Sequence, residues 1–385
     1  MTSPRNRSIA LYGTTGSGKT VQAARFARYI YESTGRITRY IGCDSGDWRS
    51  VIDPYIQAGV IEPLSIHALV GLGASAFALA HRLGRGEWFS IAPDGKLLAH
   101  PPGPATWERV GAIIIDSGTG LAQTMQDEMQ RAAARSLTAA TAKPPLPGEQ
   151  PSTASMKAGV MVSGKEATYV YSIDGEVVSG GSWDDIRGVQ TTIKRLVAYF
   201  STLPLAGVCW TFREYSGMDK LTGNKSYGPE VVGRAATVSL PSDLGMLIHC
   251  DVFVPLAQPQ PGAPGGPATG APKPLVDASP IARRMYYLPH PDEVTGVPYP
   301  AKPRVPPELE PRLQKDWPHG YLEPRVDLQG VMTNGLDTLL HREDEILVGL
   351  DVQYTAWKQG VDALRAPAPP APLVEKGGAE TQKSS

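Results

Sequence analysis

The chain has 385 residues, 41% of them hydrophobic, with seven Trp and 15 Tyr, which is enough to bury the core of one large α/β domain with additions, or of two domains. Its 37 basic and 38 acidic residues leave a formal charge of −1, so any nucleic-acid surface has to be local rather than global. Three cysteines, Cys43, Cys209 and Cys250, fit neither a zinc site nor a disulfide framework, and they read as reduced thiols in a cytoplasm; Met1 to Ser8 lacks the apolar stretch of a signal peptide, and no apolar run is long enough to span a bilayer, so no membrane partner is expected.

Ser8 to Tyr12 reads as a short apolar strand, followed by a Gly-rich stretch and a helix from about Lys19 to Glu32, with Val21, Ala24, Ala27 and Ile30 at helical spacing and Gly35 as its stop. Ile37 to Gly42 and Val60 to Ile66 are strand candidates, Gly73 to Arg82 looks helical, and Glu87 to His100 predicts a hairpin turning at Pro93-Asp94-Gly95. Val110 to Ile115 is a continuous apolar run before Asp116, the pattern of a strand buried on both faces of a parallel sheet, and a helix is expected over about Leu121 to Ser136. Thr138 to Ser155 reads as a mobile loop, Thr168 to Val178 as a hairpin turning at Asp174-Gly175, Trp183 to Phe200 as a helix, and Ala206 to Phe212 as another buried strand. The Pro/Gly-rich run at 257–275 and the tail at 366–385 read as disordered, Ile281 to Leu288 as a strand, and Val326 to Arg365 as two helices broken near His341. Alternating strand and helix argues for a mainly parallel α/β sheet.

Gly13-Thr14-Thr15-Gly16-Ser17-Gly18-Lys19-Thr20 matches G-x-x-x-x-G-K-[ST] without a gap, between a strand and a helix. The glycines allow a tight turn with inward N–H groups, and these, with the helix N-terminus, make an anion cradle. Lys19 is expected to bind the β- and γ-phosphates of ATP, and the Thr20 hydroxyl to coordinate Mg²⁺. Asp116, at the carboxyl end of its apolar strand, is the second metal residue; the plain alternative is a helix N-cap. Asp44, just past the Ile37 to Gly42 strand, is a candidate for positioning water, with Asp47 weaker and a turn-forming role equally open; Glu62 looks structural.

With these pieces in order, the chain resembles the RecA-like P-loop ATPases, and more narrowly the phage-encoded AAA-domain nucleotide-binding proteins that include single-strand annealing recombinases. The resemblance rests on Leu11 through Thr20, on Ile113-Ile114-Ile115-Asp116-Ser117 and on Val208-Cys209-Trp210-Thr211-Phe212-Arg213-Glu214, then on Tyr227-Gly228-Pro229-Glu230 with Gly233 and Ala235, and on Ala301-Lys302-Pro303-Arg304. It covers roughly residues 7–305 and implies a RecA-like core over 1–305 with an insertion at 138–182, then a helical extension over 306–365 and the tail at 366–385. It also implies that Thr211, Arg213 and Glu214 hold the place of a γ-phosphate sensor, and that the loop from Tyr215 to Tyr227 contacts DNA through Lys220 and Lys225 beside its tyrosines. Lys302 and Arg304 match a basic pair that reaches a neighbour's ATP site, with Arg283-Arg284 as a second candidate.

The expected function is therefore an Mg²⁺-dependent ATPase acting on single-stranded DNA in phage replication or recombination, assembled as a homo-oligomeric ring or filament in the cytoplasm of a bacterial host. Two readings stand beside it: a P-loop motor or loader that packages duplex DNA or remodels protein, and a non-catalytic nucleotide-binding structural or virion-associated protein. The long insertion at 138–182, the interruption at 257–275 and the extension after 306 depart from the family pattern and bear on recombination, not on ATP binding.

Overall fold

The structure, a computed structural model, describes residues 7–349 apart from 45, 47, 93–95, 142–159, 164–165, 174–175, 181, 219–222, 224, 233, 254–281, 294, 306 and 327–331. Met1–Glu343 forms one compact unit and Asp344–Ser385 a second. β1 (Arg7–Gly13) is buried along almost its whole length and runs into α1 (Lys19–Thr34), which Gly35 ends with a φ of 68° and an N–H to the Tyr31 carbonyl. β2 (Ile37–Gly42), α2 (Trp48–Gln57), β3 (Ile61–Ser65), α3 (Ile66–Gly71) and α4 (Ala76–Leu83) follow, α3 and α4 each capped by a serine, Ser65 and Ser75, that accepts from the third amide onward. β4 (Trp88–Ile91) and β5 (Leu97–His100) form the expected hairpin, and α5 (Pro104–Trp107) leads into β6 (Val110–Asp116), in which all seven residues are buried.

α6 (Gly118–Thr141) runs past the expected end at Ser136, its last turns supplied by Ala- and Thr-containing sequence that nothing punctuates. β7 (Val160–Ser163), β8 (Glu166–Ile173) and β9 (Glu176–Gly180) pair antiparallel in a small sheet of their own, β8 and β9 joined where the hairpin turn at Asp174-Gly175 was expected. α7 (Ser182–Thr202), β10 (Gly207–Met218), β11 (Lys225–Pro229), α8 (Arg234–Asp243) and β12 (Met246–Phe253) complete the core; β13 (Ala282–Tyr286), β14 (His290–Pro291), β15 (Pro298–Tyr299), α9 (Glu310–Asp316), β16 (Tyr321–Leu322), β17 (Arg325–Val326) and β18 (Met332–Thr333) follow.

The main sheet runs β16-β13-β12-β1-β10-β6-β2-β3, with β11 on β10. Six strands, β12, β1, β10, β6, β2 and β3, are parallel, and β13, β16 and β11 are antiparallel additions. One strand, β10, separates the phosphate-loop strand β1 from the acidic strand β6, so the mainly parallel α/β sheet of a RecA-like P-loop core is the fold. Register then does the positioning: Gly13 lies opposite Arg213, Trp210 opposite Ile115, and Gly42 opposite Asp116, so the ends of β1, β10, β6 and β2 share one edge. A core of α4, α6 and α7 side chains, Met125, Ile193, Leu196 and Phe200 among them, packs on Ile113, Ile115, Trp210 and Phe212. α1 packs on β1, β6 and β10 without joining that cluster and so covers the opposite face, as a buried parallel sheet requires.

Residues after 306 are not the purely helical extension the sequence suggested. β16 pairs with β13 and so belongs to the main sheet, β17 and β18 form a hairpin, and a helix over 336–349 passes unbroken through His341. Its first turn is tied to α1 by a bidentate Arg25–Asp337 pair, 2.7 and 2.8 Å, and by the Leu336 amide on the Gln22 side chain. The stretches at 257–275 and 366–385 lie outside the described residues.

The β14–β15 hairpin folds against β11, β12 and β13 through a stack of rings. Tyr299 lies 4.2 Å from both His249 and Tyr227, and His290 lies 3.4 Å from Tyr286. The two ring nitrogens of His249 are engaged by Glu214 at 3.0 Å and by His290 at 3.1 Å. Burial, and then the neighbouring His249, push His290 down from 6.5 to about 4. Between those values the folded state binds fewer protons than the unfolded one, so this contribution is complete above about 6.5 and is lost as pH falls towards 4. Urea midpoints measured from pH 7 to pH 4.5 should therefore fall less steeply in His290→Asn than in the native chain; parallel curves would show that His290 is not held neutral by the fold.

Candidate nucleotide-binding site

The loop between β1 and α1 turns back on itself through Gly16 and Gly18, whose φ values of 83° and 88° are left-handed conformations that glycine adopts without steric cost. Beneath it, Gly13 sits so close to the Cys250 carbonyl of β12 that no side chain fits there. Above it, Thr14, Thr15 and Gly16 are exposed, so the cradle faces solvent. Lys19 reaches back across the loop, its Nζ donating to the carbonyls of Gly13 (2.9 Å) and Thr14 (2.6 Å) and to Ser17 Oγ (3.2 Å). Burial lowers its pKa, against the raising effect of Cys250, Asp116, Asp44 and Glu214, so this ammonium lacks a full complement of water.

Asp116 ends β6 and is 5% exposed. Thr20 Oγ1 donates to Oδ2 at 2.8 Å, the Tyr40 hydroxyl donates to the same oxygen, and the Thr211 hydroxyl donates to Oδ1. The plain alternative for Asp116, an N-cap, falls instead to Ser117, whose Oγ accepts from the Gly120 amide at 2.9 Å. Burial and the adjacent carboxylate raise Tyr40 far above its ordinary range, so its hydroxyl remains a donor. Thr20 and Asp116 are hard oxygen ligands side by side at the mouth of an anion cradle, which fits a magnesium ion shared with phosphates.

Asp44 lies at the same edge. Its Oδ1 accepts from Ser117 Oγ at 3.0 Å and stands 3.7 Å from Arg213 Nη2, both side chains partly open to solvent. Thr211 thus meets Asp116, Asp44 meets Ser117 and Arg213 meets Asp44, whereas Glu214 turns away to His249 and Tyr299. Asp47 and Lys220 lie outside the described residues. Lys225 is exposed and pairs with Met218 near the tip of the β10–β11 hairpin; Tyr227, by contrast, is stacked on Tyr299. Lys302 exchanges backbone hydrogen bonds with Leu247, alongside Ala10 in the middle of β1, and the Arg304 amide donates to Glu343. Glu62 is structural, paired with Arg39 at 2.9 Å.

Tyr40, Ser117 and Thr119 escaped the sequence reading. Thr119 Oγ1 donates to the Glu230 carbonyl and accepts from the Arg213 amide, pinning the sensor strand to α6. Ser117 stands in the Ile113–Ser117 stretch without an assigned role, Tyr40 and Thr119 stand in no motif, and only β2–β6 register brings Tyr40 to Asp116.

No family model matches the chain, and no curated protein matches it. Among solved structures it aligns with the flagellar accessory protein FlaH from Methanocaldococcus jannaschii, at 10% identity over 85% of this chain and 87% of that one, with a TM-score of 0.36. It also aligns with a KaiC-like protein from Pyrococcus horikoshii, at 10% identity over 85% and 89%, with a TM-score of 0.35. The fold rests on the strand order and loop geometry above, not on these distant alignments.

Gly120 in α6 lies against the Asp44 carboxylate and the Cys43 carbonyl, with no room for a Cβ. Gly120→Ala should push Asp44 away while leaving Gly13–Thr20 untouched. ATP turnover should fall roughly tenfold to a hundredfold, since about 1 Å of misplacement has that scale of cost, with nucleotide affinity held within about threefold. Equilibrium binding and steady-state turnover measured on the same preparation separate the two effects; unchanged turnover removes Asp44 from the site.

Proposed function

We propose that the chain is an Mg²⁺-dependent ATPase in which the loop from Gly13 to Thr20 binds the triphosphate of ATP and Thr20 and Asp116 hold the metal. The observation that carries this reading is the 2.8 Å hydrogen bond from Thr20 to Asp116, two residues 96 positions apart, at the mouth of the loop. A bound magnesium ion supplies charge neutralisation at the phosphates. Lys19 exchanges the carbonyls of its own loop for phosphate oxygens, which restores to the ammonium the charge partner that burial withholds. Asp44 orients water, held in place by Ser117, and Arg213 beside it stabilises charge developing on the terminal phosphate.

The finer reading keeps single-stranded DNA as the ligand of the hairpin beyond Arg213 and a ring or filament of identical subunits as the assembly. Lys225, exposed near the hairpin tip, supports the DNA contact; the stacking of Tyr227 on Tyr299 leaves fewer free aromatics for bases than the sequence suggested. Lys302 or Arg304 would act only across a subunit boundary, and phage recombination draws on no feature beyond these. Among the described residues no helix is long and apolar enough to cross a membrane.

Lys19→Ala should abolish ATP turnover without lowering the melting temperature by more than a few degrees. Turnover measured with single-stranded DNA, duplex DNA and no DNA across salt concentrations tests the ligand. Stimulation by single strands that fades steeply with salt supports the DNA reading; stimulation by duplex alone favours a packaging motor, and insensitivity to both favours a nucleotide-binding structural role or a protein-remodelling one. Unaltered turnover in Lys19→Ala refutes the site itself.

A further inference from the structure

Arg283 projects from β13, the antiparallel strand that follows the undescribed stretch 254–281. Its partner Val252 belongs to β12, which pairs in turn with β1, so the strand carrying Arg283 is two places from the one that enters the phosphate loop. Arg283 Nε donates to the Gly16 carbonyl at 3.2 Å. Its Cδ lies 3.1 Å from where a Cβ on Gly18 would stand, so stem and head group both rest on the rim of the cradle. The neighbouring Arg284 is differently committed: it pairs with Glu323 at 3.3 Å and covers the Tyr321 ring.

Arg283 also differs in its electrostatics. Arg25, Arg39 and Arg284 each have a carboxylate partner, Asp337, Glu62 and Glu323, whereas Arg283 has none among the described residues. A guanidinium carries five N–H donors, and one is in use here. Ordering an exposed arginine costs rotamer entropy, which a single hydrogen bond to a neutral carbonyl barely offsets. An uncompensated, planar, multidentate cation held over an anion cradle has the chemistry to take phosphate oxygens.

We infer that Arg283 is a phosphate-binding residue of its own chain's site, contacting the terminal phosphate of a bound nucleoside triphosphate in cis. The inference rests on the ATP-binding reading and adds to it a cation from the segment beyond the Pro/Gly-rich run. It also reassigns the pair that the sequence offered as a donor to a neighbouring subunit: Arg283 serves its own loop, and Arg284 holds β13 in place.

The test compares Arg283→Ala and Arg283→Lys with the native chain, using a non-hydrolysable ATP analogue, ADP and steady-state turnover, with thermal midpoints as the folding control. The alanine variant should bind the ATP analogue at least tenfold more weakly and ADP less than threefold more weakly, with the lysine variant between it and the native chain. Mixing Arg283→Ala with Lys19→Ala subunits should not restore turnover. Native-like affinity in Arg283→Ala, tighter binding that marks the arginine as an occluding latch, or equal weakening for ATP and ADP each overturns the assignment. Restored turnover on mixing overturns its cis character. A native chain that binds no ATP refutes the underlying site instead, an outcome distinct from an ATP-binding native chain with an indifferent Arg283→Ala.

Discussion

The carboxylate of Asp116 is the point on which the site is hung. It is nearly inaccessible to water, so its hydrogen bonds must come from the protein, and they come from three separate elements: Thr20 on α1, Tyr40 on β2 and Thr211 on β10. Hydrogen bonds to a charged group contribute about 1.5–3 kcal/mol each, and an orphaned buried acceptor costs as much again. The same contacts that satisfy Asp116 therefore fix the first turn of α1 against the sheet, and the phosphate loop is suspended from that turn. Stability and site geometry share these bonds, because removing the acceptor strands three hydroxyl groups.

Around that anchor the chain's own groups hold the loop. Lys19 is held by the carbonyls of Gly13 and Thr14, and the Cys250 carbonyl of β12 closes the floor. Donors already in position cost little to reorganise when a phosphate takes the carbonyls' place, which is the condition under which a charged site is most effective. The same tight packing explains why β12 belongs to the site although it carries no motif: its contribution is a backbone atom, and a backbone atom leaves no mark on residue identity.

Legibility in the sequence followed how locally each feature is determined. The run Val110–Ile115 predicted a strand buried on both faces, and the contiguous Gly13–Thr20 motif predicted a loop between strand and helix, because each is encoded within a few residues. β12 was missed because His249 and Asp251 interrupt its apolar character, and the burial of His249 depends on Tyr12 and Tyr299 while Asp251 pairs with β13. α2 was missed because Pro54 sits inside it and a turn-rich stretch precedes it. β16 was missed because two residues cannot display a period; only pairing with Met285 and Tyr286 defines it. The aspartates at the sheet edge could be proposed from position alone, but Tyr40 and Arg283 reach the site through register and through a strand far along the chain, which no local pattern records.

The resulting site is graded in burial, and that gradient divides its labour. On one side Asp116, Thr211 and Tyr40 are closed off, in a region where low local polarity strengthens every bond and allows little movement. On the other, Asp44 and Arg213 are a third and nearly half exposed and joined only by a 3.7 Å ion pair, an arrangement worth little and easily remade. A ligand charge entering the cradle cannot rearrange the first side without breaking buried hydrogen bonds. On the second it meets a weak, partly exposed ion pair that can be remade while Ser117 still holds Asp44. Changes transmitted beyond the site should therefore start from the Asp44–Arg213 side, and Arg213 lies on the strand that continues into the β10–β11 hairpin.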